Sequence, residues 1–183
     1  MRKITRLALA AAALAAAPLA AQSFSEGYTF LKGVRERDAA VVTEIASRRN
    51  PAILNTREAS SGEGALHILV RGRDSTWLGF LLSRGARADL QSNDGTTPLQ
   101  LAAQLGWAEG AEQLLASGAD PNLGNSRGET PLILAVQRRN LRIVRLLVGR
   151  GADPNQTDNI AGYSALDYAR RDRRAAAILR ELE

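Results

Sequence analysis

The chain has 183 residues, of which 45% are hydrophobic and only 4% aromatic, and its formal net charge is +5. The hydrophobic fraction excludes a disordered chain, and the shortage of aromatic residues favours closely packed helices with an aliphatic core over an aromatic-rich β-sandwich. The chain contains no cysteine, which excludes disulfides, thiol catalysis and cysteine-ligated zinc.

Residues 1–21 are typical of a cleavable signal peptide. Basic residues at positions 2, 3 and 6 precede an apolar run, Leu7 to Ala17, which is shorter than the roughly 20 residues that span a membrane. We expect cleavage between Ala21 and Gln22; the alternative is a retained membrane anchor. An alanine-rich leader and a preference for arginine over lysine favour a bacterial periplasmic protein, with secretion as the second choice.

Removal of this leader changes the charge balance of the chain. The remaining residues carry 21 basic and 19 acidic side chains, a net charge of +2, which does not favour a nucleic-acid partner. Since no second apolar stretch has spanning length, we expect no membrane insertion after cleavage, and we expect a monomer.

Residues 22–57 are predicted to form a capping pair of helices at the N-terminal end. The first helix is expected over Gly27–Arg37 and the second over Ala39–Ser47. Asp38 is expected to cap the second helix and Asn50-Pro51 to end it.

A repeat of 33 residues organises the rest of the chain. Leu66, Leu99, Leu132 and Leu166 recur at intervals of 33, 33 and 34 residues, and Gly-Ala pairs at 85, 118 and 151 keep the same register. The predicted units are a divergent repeat at 58–91, two regular repeats at 92–124 and 125–158, and a C-terminal capping repeat at 159–183.

Each regular unit predicts a helix, a turn and a second helix. Thr97 and Thr130 are suited to cap a first helix, followed by a proline at its first position. The second helix is expected to stop near Gly118 or Gly151. Trp77 is expected in the core, and Trp107 half exposed at the start of its helix.

These units resemble the ankyrin repeat, whose pattern runs from G-x-T-P-L-H-x-A-A to L-L-x-x-G-A-D-x-N. The unit at 58–91 departs from it, with Gly64-Ala65 in place of Thr-Pro and Arg87 in place of Asp. The resemblance implies an all-α solenoid of stacked helix-turn-helix pairs with connecting β-turn loops and about four and a half helix pairs. It also implies that His67, the sole histidine, ties loop backbone to helix.

No combination of residues indicates catalysis, a cofactor or a metal site. His67 has no cysteine or second histidine with which to form a metal site or a catalytic pair. Asp120, Asp153 and Asp158 follow the repeat and not a calcium loop, so turn formation explains them better. We therefore expect a non-enzymatic protein that binds another protein.

The resemblance implies that partner contacts come from loop tips and from the exposed side of the first helices. Leu105 and Tyr163 are the expected apolar anchors, and Arg127 and Arg138 the expected polar ones. The complete set is Ser60, Glu63, Arg71, Asn93, Asp94, Thr96, Gln104, Leu105, Ser126, Arg127, Glu129, Gln137, Arg138, Tyr163 and Arg171.

Charge is distributed unevenly along the repeats. Residues 88–126 contain five acids and no cation, whereas residues 132–152 contain five arginines and no acid. One interpretation is solvated helix faces; the other is a bipolar surface that orients a partner. The alternative function is a structural spacer or cap in an envelope assembly that binds through its ends, with Tyr28, Phe30 and the C-terminal arginine-rich helix.

Overall fold

A computed structural model describes residues 19–48 and 50–183; residues 1–18, which hold most of the predicted signal peptide, lie outside the described residues. In the described part the regular structure is helical, with two isolated antiparallel bridges, Arg57–Gly64 and Thr157–Ser164. The helices are α1 Leu19–Glu36, α2 Ala39–Ser47, α3 Pro51–Leu54, α4 Ala65–Gly72, α5 Ser75–Ser83, α6 Pro98–Leu105, α7 Ala108–Ala116, α8 Pro131–Gln137, α9 Leu141–Val148, α10 Ala165–Arg171, and α11 Ala176–Leu182 after a 3₁₀ turn, Arg173–Ala175.

The helices form two layers, which confirms the predicted all-α solenoid. The first helices α1, α4, α6, α8 and α10 pack side by side, and the second helices α5, α7, α9 and α11 form the other layer. A single repeat cannot bury its own apolar face, so neighbouring units share one continuous core. Fully buried side chains in it include Leu99, Leu114, Leu132, Ile143 and Leu147.

The predicted caps begin the first helices. Thr97 Oγ1 accepts a hydrogen bond from the Gln100 N–H at 3.2 Å, and Thr130 Oγ1 accepts one from the Ile133 N–H at 3.2 Å. The proline that follows each threonine occupies the first helical position, where a missing N–H costs little. Local sequence therefore determines where these helices start.

The N-terminal cap differs from expectation. Helix α1 begins at Leu19, eight residues before the predicted start, so the predicted cleavage point lies in its first turn. Asn50 was expected to end α2, but in the structure it also starts α3. Its side chain accepts a hydrogen bond from the Ala52 N–H at 3.2 Å, and Pro51 is the first residue of α3. Asparagine before proline is a helix-start signal as well as a stop, and the start is used here.

Trp107 also corrects a prediction. It is buried, with 7% of its surface exposed, where half exposure was expected. A Cβ placed on Gly110 would come within 2.0 Å of the Trp107 ring, so the absence of a side chain there lets the ring lie against α7. Trp77 packs partly buried against the core, with its ring 5.2 Å from that of Phe80.

The C-terminal repeat keeps the predicted helix Ala165–Arg171. The second predicted helix, Arg173 to Leu182, is interrupted: its first three residues form a 3₁₀ turn before α11 begins. Asp172 caps this turn, accepting from the Arg174 N–H at 2.9 Å.

Candidate protein-interaction face

Four loops that precede the first helices, residues 57–64, 90–97, 123–130 and 157–164, are here called the fingers. Consecutive fingers are joined by backbone hydrogen bonds: Asn93 N–H to Ser61 O at 2.9 Å, Ser126 N–H to Asp94 O at 3.0 Å, and a third from residue 159 to residue 127 at 2.8 Å. A Cβ on Gly95 would lie 2.7 Å from the Ser126 nitrogen, and its φ of +78° also favours glycine. Close approach of the fingers therefore depends on glycine at this position.

The fingers and the exposed side of the first helices make up one surface, here called the first-helix face. Every predicted partner-binding residue lies on it: in a finger, in the last turn of a first helix or, for Arg138, directly after α8. Equivalent positions recur along it: 63, 96, 129 and 163 in the fingers, and 71, 104, 137 and 171 on the helices.

His67 has the structural role that the family resemblance implies. It is fully buried. Its Nδ1 accepts from the Gly64 N–H at 3.2 Å and its Nε2–H donates to Thr96 O at 2.9 Å, which defines a neutral tautomer. Burial lowers the pKa of His67 below its ordinary value of 6.5. The imidazole thus holds the second finger against helix α4.

Several predicted contact residues are used to order the fingers. Asn93 Nδ2 donates to Ser60 O at 3.1 Å, and its Oδ1 accepts from Arg57 at 3.0 Å. Asp94 accepts from the Ser92 hydroxyl and from the Thr96 N–H, and the hydroxyl contact is the main reason why the pKa of Asp94 is lowered. These side chains shape the surface before any partner arrives.

At the N-terminal part of the face the charges are paired. Arg71 Nε donates to both carboxylate oxygens of Glu63 at 3.2 Å. Arg35 on α1 donates to Glu58 at 3.0 Å. Since both arginine side chains are 56% exposed, each pair adds little to stability and mainly orients the guanidinium group.

At the C-terminal part the equivalent pair is aromatic. The Arg171 guanidinium lies 4.1 Å from the centre of the Tyr163 ring, whose other neighbour is Tyr168 with an edge-on contact at 5.7 Å. The Tyr168 hydroxyl donates to Asp158 at 2.6 Å, which raises the pKa of Tyr168 to about 12. Tyr163 therefore lies in contact with both Arg171 and Tyr168 at the edge of the face.

The four expected anchors differ in availability. Arg127 donates to Glu129 at 2.8 Å, whereas Arg138 is exposed and makes no ion pair within the described residues. Leu105 is half-buried against the core. Tyr163 is also half-buried, so Arg138 is the most accessible of the four.

Helix α1 also contributes to this face, which was not predicted from the sequence. Arg37 and Arg73 both take positive φ values, +59° and +50°, directly after α1 and α4. Arg37 and Arg73 therefore occupy equivalent positions, and so do Arg35 on α1 and Arg71 on α4, each two residues earlier. The signal was present in the sequence, since Val-Arg-x-Arg-Asp at 34–38 recurs at 70–74.

Four of the ten residues of the predicted bipolar charge lie on the second helices. Glu109 and Glu112 are exposed on α7, one repeat before Arg142 and Arg145 on α9. Arg145 pairs with Glu181 at 2.8 Å, but Glu109, Glu112 and Arg142 form no ion pair within residues 19–48 and 50–183. The charge on α7 and α9 thus lies in the other helix layer from the predicted contact residues, whereas Asp94 and Arg138 lie on the first-helix face.

The described residues contain no group of three or more histidine, aspartate or glutamate side chains placed to hold a metal ion. None of their helices is long and apolar enough to cross a membrane.

Comparison with known proteins agrees with the geometry. The family model for ankyrin repeats (three copies) matches residues 34–125, 66–158 and 109–181. Over 53 residues the chain is 40% identical to a protein of fowlpox virus (strain NVSL) named as an ankyrin repeat protein; this match covers 29% of the chain and 16% of the viral protein. Ankyrin repeats are generally protein–protein interaction modules and typically non-catalytic. With helix pairs stacked at the predicted period and a family match over most of its length, the chain belongs to the ankyrin-repeat family.

Proposed function

We propose that this chain is an exported, non-catalytic module that binds a partner protein through the first-helix face, and so regulates or stabilises that partner. The observation that carries the proposal is the continuity of this face. Hydrogen-bonded fingers and adjacent first helices present Gln104, Arg138 and Tyr163 on three successive units. Such a surface suits recognition of an extended region of another protein.

Export rests on the leader. Its basic start, short apolar run and small residues before Gln22 support cleavage and a periplasmic address.

A second candidate is a spacer or cap that binds through its ends. Tyr28 favours it, since 67% of its surface is exposed. Phe30, the other N-terminal residue predicted for this role, is fully buried in the core and is not accessible to a partner.

Site-directed photo-crosslinking separates the two candidates. A photoreactive residue is placed at Gln104 and Gln137 on first helices, and at Glu109 and Arg142 on second helices as matched controls. Tyr28 and Arg173 are replaced in the same way to report on the two ends of the molecule. Crosslinks to one protein at the first two positions alone support the proposal. Crosslinks confined to Tyr28 and Arg173 support the end-binding candidate, and equal products at the control positions would show that the assigned face is wrong.

Once a partner is captured, Arg138→Ala measures one contact. We expect affinity to fall about tenfold with an unchanged melting temperature, because Arg138 has no ion pair to lose within the described residues. Arg142→Ala removes a similar exposed arginine from α9 and should leave affinity unchanged.

A further inference from the structure

A cavity of about 480 Å³ lies between α1 and the first finger. Tyr28, Leu31, Lys32 and Arg35 line it from α1, and residues 56–60 line it from the other side. Its volume is within the range of known ligand pockets, roughly 300–1,000 Å³. None of the partner-binding positions predicted from the repeat pattern, apart from Ser60, belongs to it.

The cavity has a structural cause. Helix α4 has 8 residues and is preceded by a finger, whereas α1 has 18 and continues as helix where a preceding finger would stand. The first finger therefore has no neighbouring finger on its outer side, and a gap remains between it and α1. Because Arg35 is equivalent to Arg71, this gap opens at the end of the first-helix face.

The cavity combines an apolar lining with an incompletely paired cation. The two apolar residues that line it from α1 differ in exposure: Leu31 is 6% exposed and Tyr28 is 67% exposed. Arg35 is paired with Glu58 at 3.0 Å. The ammonium group of Lys32 has a longer ion pair, at 4.0 Å to Glu36, and no other within the described residues.

The other cation beside the cavity is also engaged. Arg57 donates to Gly62 O and to Asn93 Oδ1, each at 3.0 Å. The lining contains three cations, Lys32, Arg35 and Arg57, and two carboxylates, Glu36 and Glu58. The excess charge is positive, and Lys32 makes the longer of the two ion pairs within this lining, 4.0 Å against 3.0 Å for Arg35, so its ammonium group is the more available to a ligand.

We propose that this cavity is a specificity pocket that takes an aromatic side chain of the partner, with an adjacent acidic residue of the same segment placed against Lys32. The inference rests on the proposed function. An aromatic ring stacks favourably on Tyr28 and covers Leu31, and the open side of the cavity lets the segment continue along the first-helix face.

The test uses two dipeptide probes, acetyl-Trp-Asp-amide and acetyl-Trp-Asn-amide, which have nearly the same shape and differ in one charge. Binding to the purified chain is followed by NMR at the backbone amides of Leu31, Ala59 and Ser60. We expect saturation at about 1–10 mM for the acidic probe and about threefold weaker binding of the neutral one.

Two variants assign the contacts. Lys32→Gln should abolish the preference for the acidic probe without changing the binding of the neutral one. Tyr28→Ala should weaken both probes about fivefold. Tyr28 is largely exposed, so the fold should remain, and thermal unfolding checks this. Arg142→Gln, which removes an exposed arginine from α9, should leave binding of both probes unchanged.

Absence of shifts at these amides, or equal shifts in Tyr28→Ala, would overturn the pocket. Because the probes need no partner, the two proposals fail separately. Probe binding without crosslinks at Gln104 would retain the cavity and reject the proposed function, whereas crosslinks at Gln104 without probe binding would do the reverse.

Discussion

Gln100 takes in the second repeat the place that His67 holds in the first. His67 Nε2–H donates to the carbonyl of Thr96, and Gln100 Nε2 donates to the carbonyl of Glu129 at 2.7 Å, one repeat further along. Both side chains also accept the N–H of the helix-capping residue, Gly64 for His67 and Thr97 for Gln100. The imidazole of His67 can be protonated as the pH falls, whereas the amide of Gln100 cannot.

This difference predicts that His67→Gln makes the fold less sensitive to acid. Burial lowers the pKa of folded His67 below 6.5, while the nearby carboxylates Glu63 and Asp94 oppose the shift and Arg71 adds to it. The unfolded chain therefore binds the proton more readily. The stabilisation is complete above about pH 6.5 and is lost as the pH falls towards the lower folded pKa.

Urea unfolding at pH 7 and pH 5 measures the effect. The loss of unfolding free energy between the two pH values should be smaller in His67→Gln than in the unmodified chain. The reciprocal variant Gln100→His should increase that loss, since it places a second buried imidazole between finger and helix. Parallel losses in all three proteins would contradict the assignment.

Gly110→Ala should destabilise the fold by about 1–3 kcal/mol, because a methyl group there collides with the Trp107 ring and forces it to move. Gly79→Ala on α5 is the matched control. Its Cβ would meet its nearest heavy atom at 3.8 Å, so the higher helix propensity of alanine should stabilise the protein by about 0.5–1 kcal/mol. Chemical denaturation measures both, and equal effects would show that the Trp107 contact is unimportant.

Asp158→Ala should destabilise the last finger by about 2–3 kcal/mol. This carboxylate is 4% exposed and accepts the N–H groups of Ile160, Ala161 and Gly162 as well as the Tyr168 hydroxyl. Tyr168→Phe removes one of these bonds and should cost about 1 kcal/mol. Hydrogen exchange at residues 160–162 should rise sharply in the first variant only; uniform protection in both would disprove the role of Asp158.

Export predicts that the chain recovered from the periplasm begins at Gln22. N-terminal sequencing or intact mass measurement tests this, since loss of residues 1–21 also removes three basic side chains. A bulky residue in place of Ala21 should block cleavage, because signal peptidase requires small side chains before the cut. Recovery of an uncut chain in the soluble cytoplasmic fraction would contradict export.

Much of the fold was predictable because its signals are local. Thr97-Pro98 starts a helix through hydrogen bonds within four residues, and the helix Ala165–Arg171 was predicted with correct bounds from its place in the repeat. A period of 33 residues then requires stacking, since each unit leaves an apolar face uncovered. The role of Asn50-Pro51 was harder to predict, because the same residues can end one helix and start another.

The sequence by itself determined the repeat, the helix pairs and the side of the molecule that carries the fingers. Only the tertiary structure decided which polar side chains there remain free to bind a partner. Asn93, for example, is hydrogen-bonded to Ser60 and Arg57, which lie about one repeat earlier in the chain. The tertiary structure also decided that Trp107 is buried and that a cavity opens beside Tyr28. Trp107 is buried because Gly110 has no side chain, and the cavity is open because no finger precedes α1. Each effect arises only when neighbouring elements pack together.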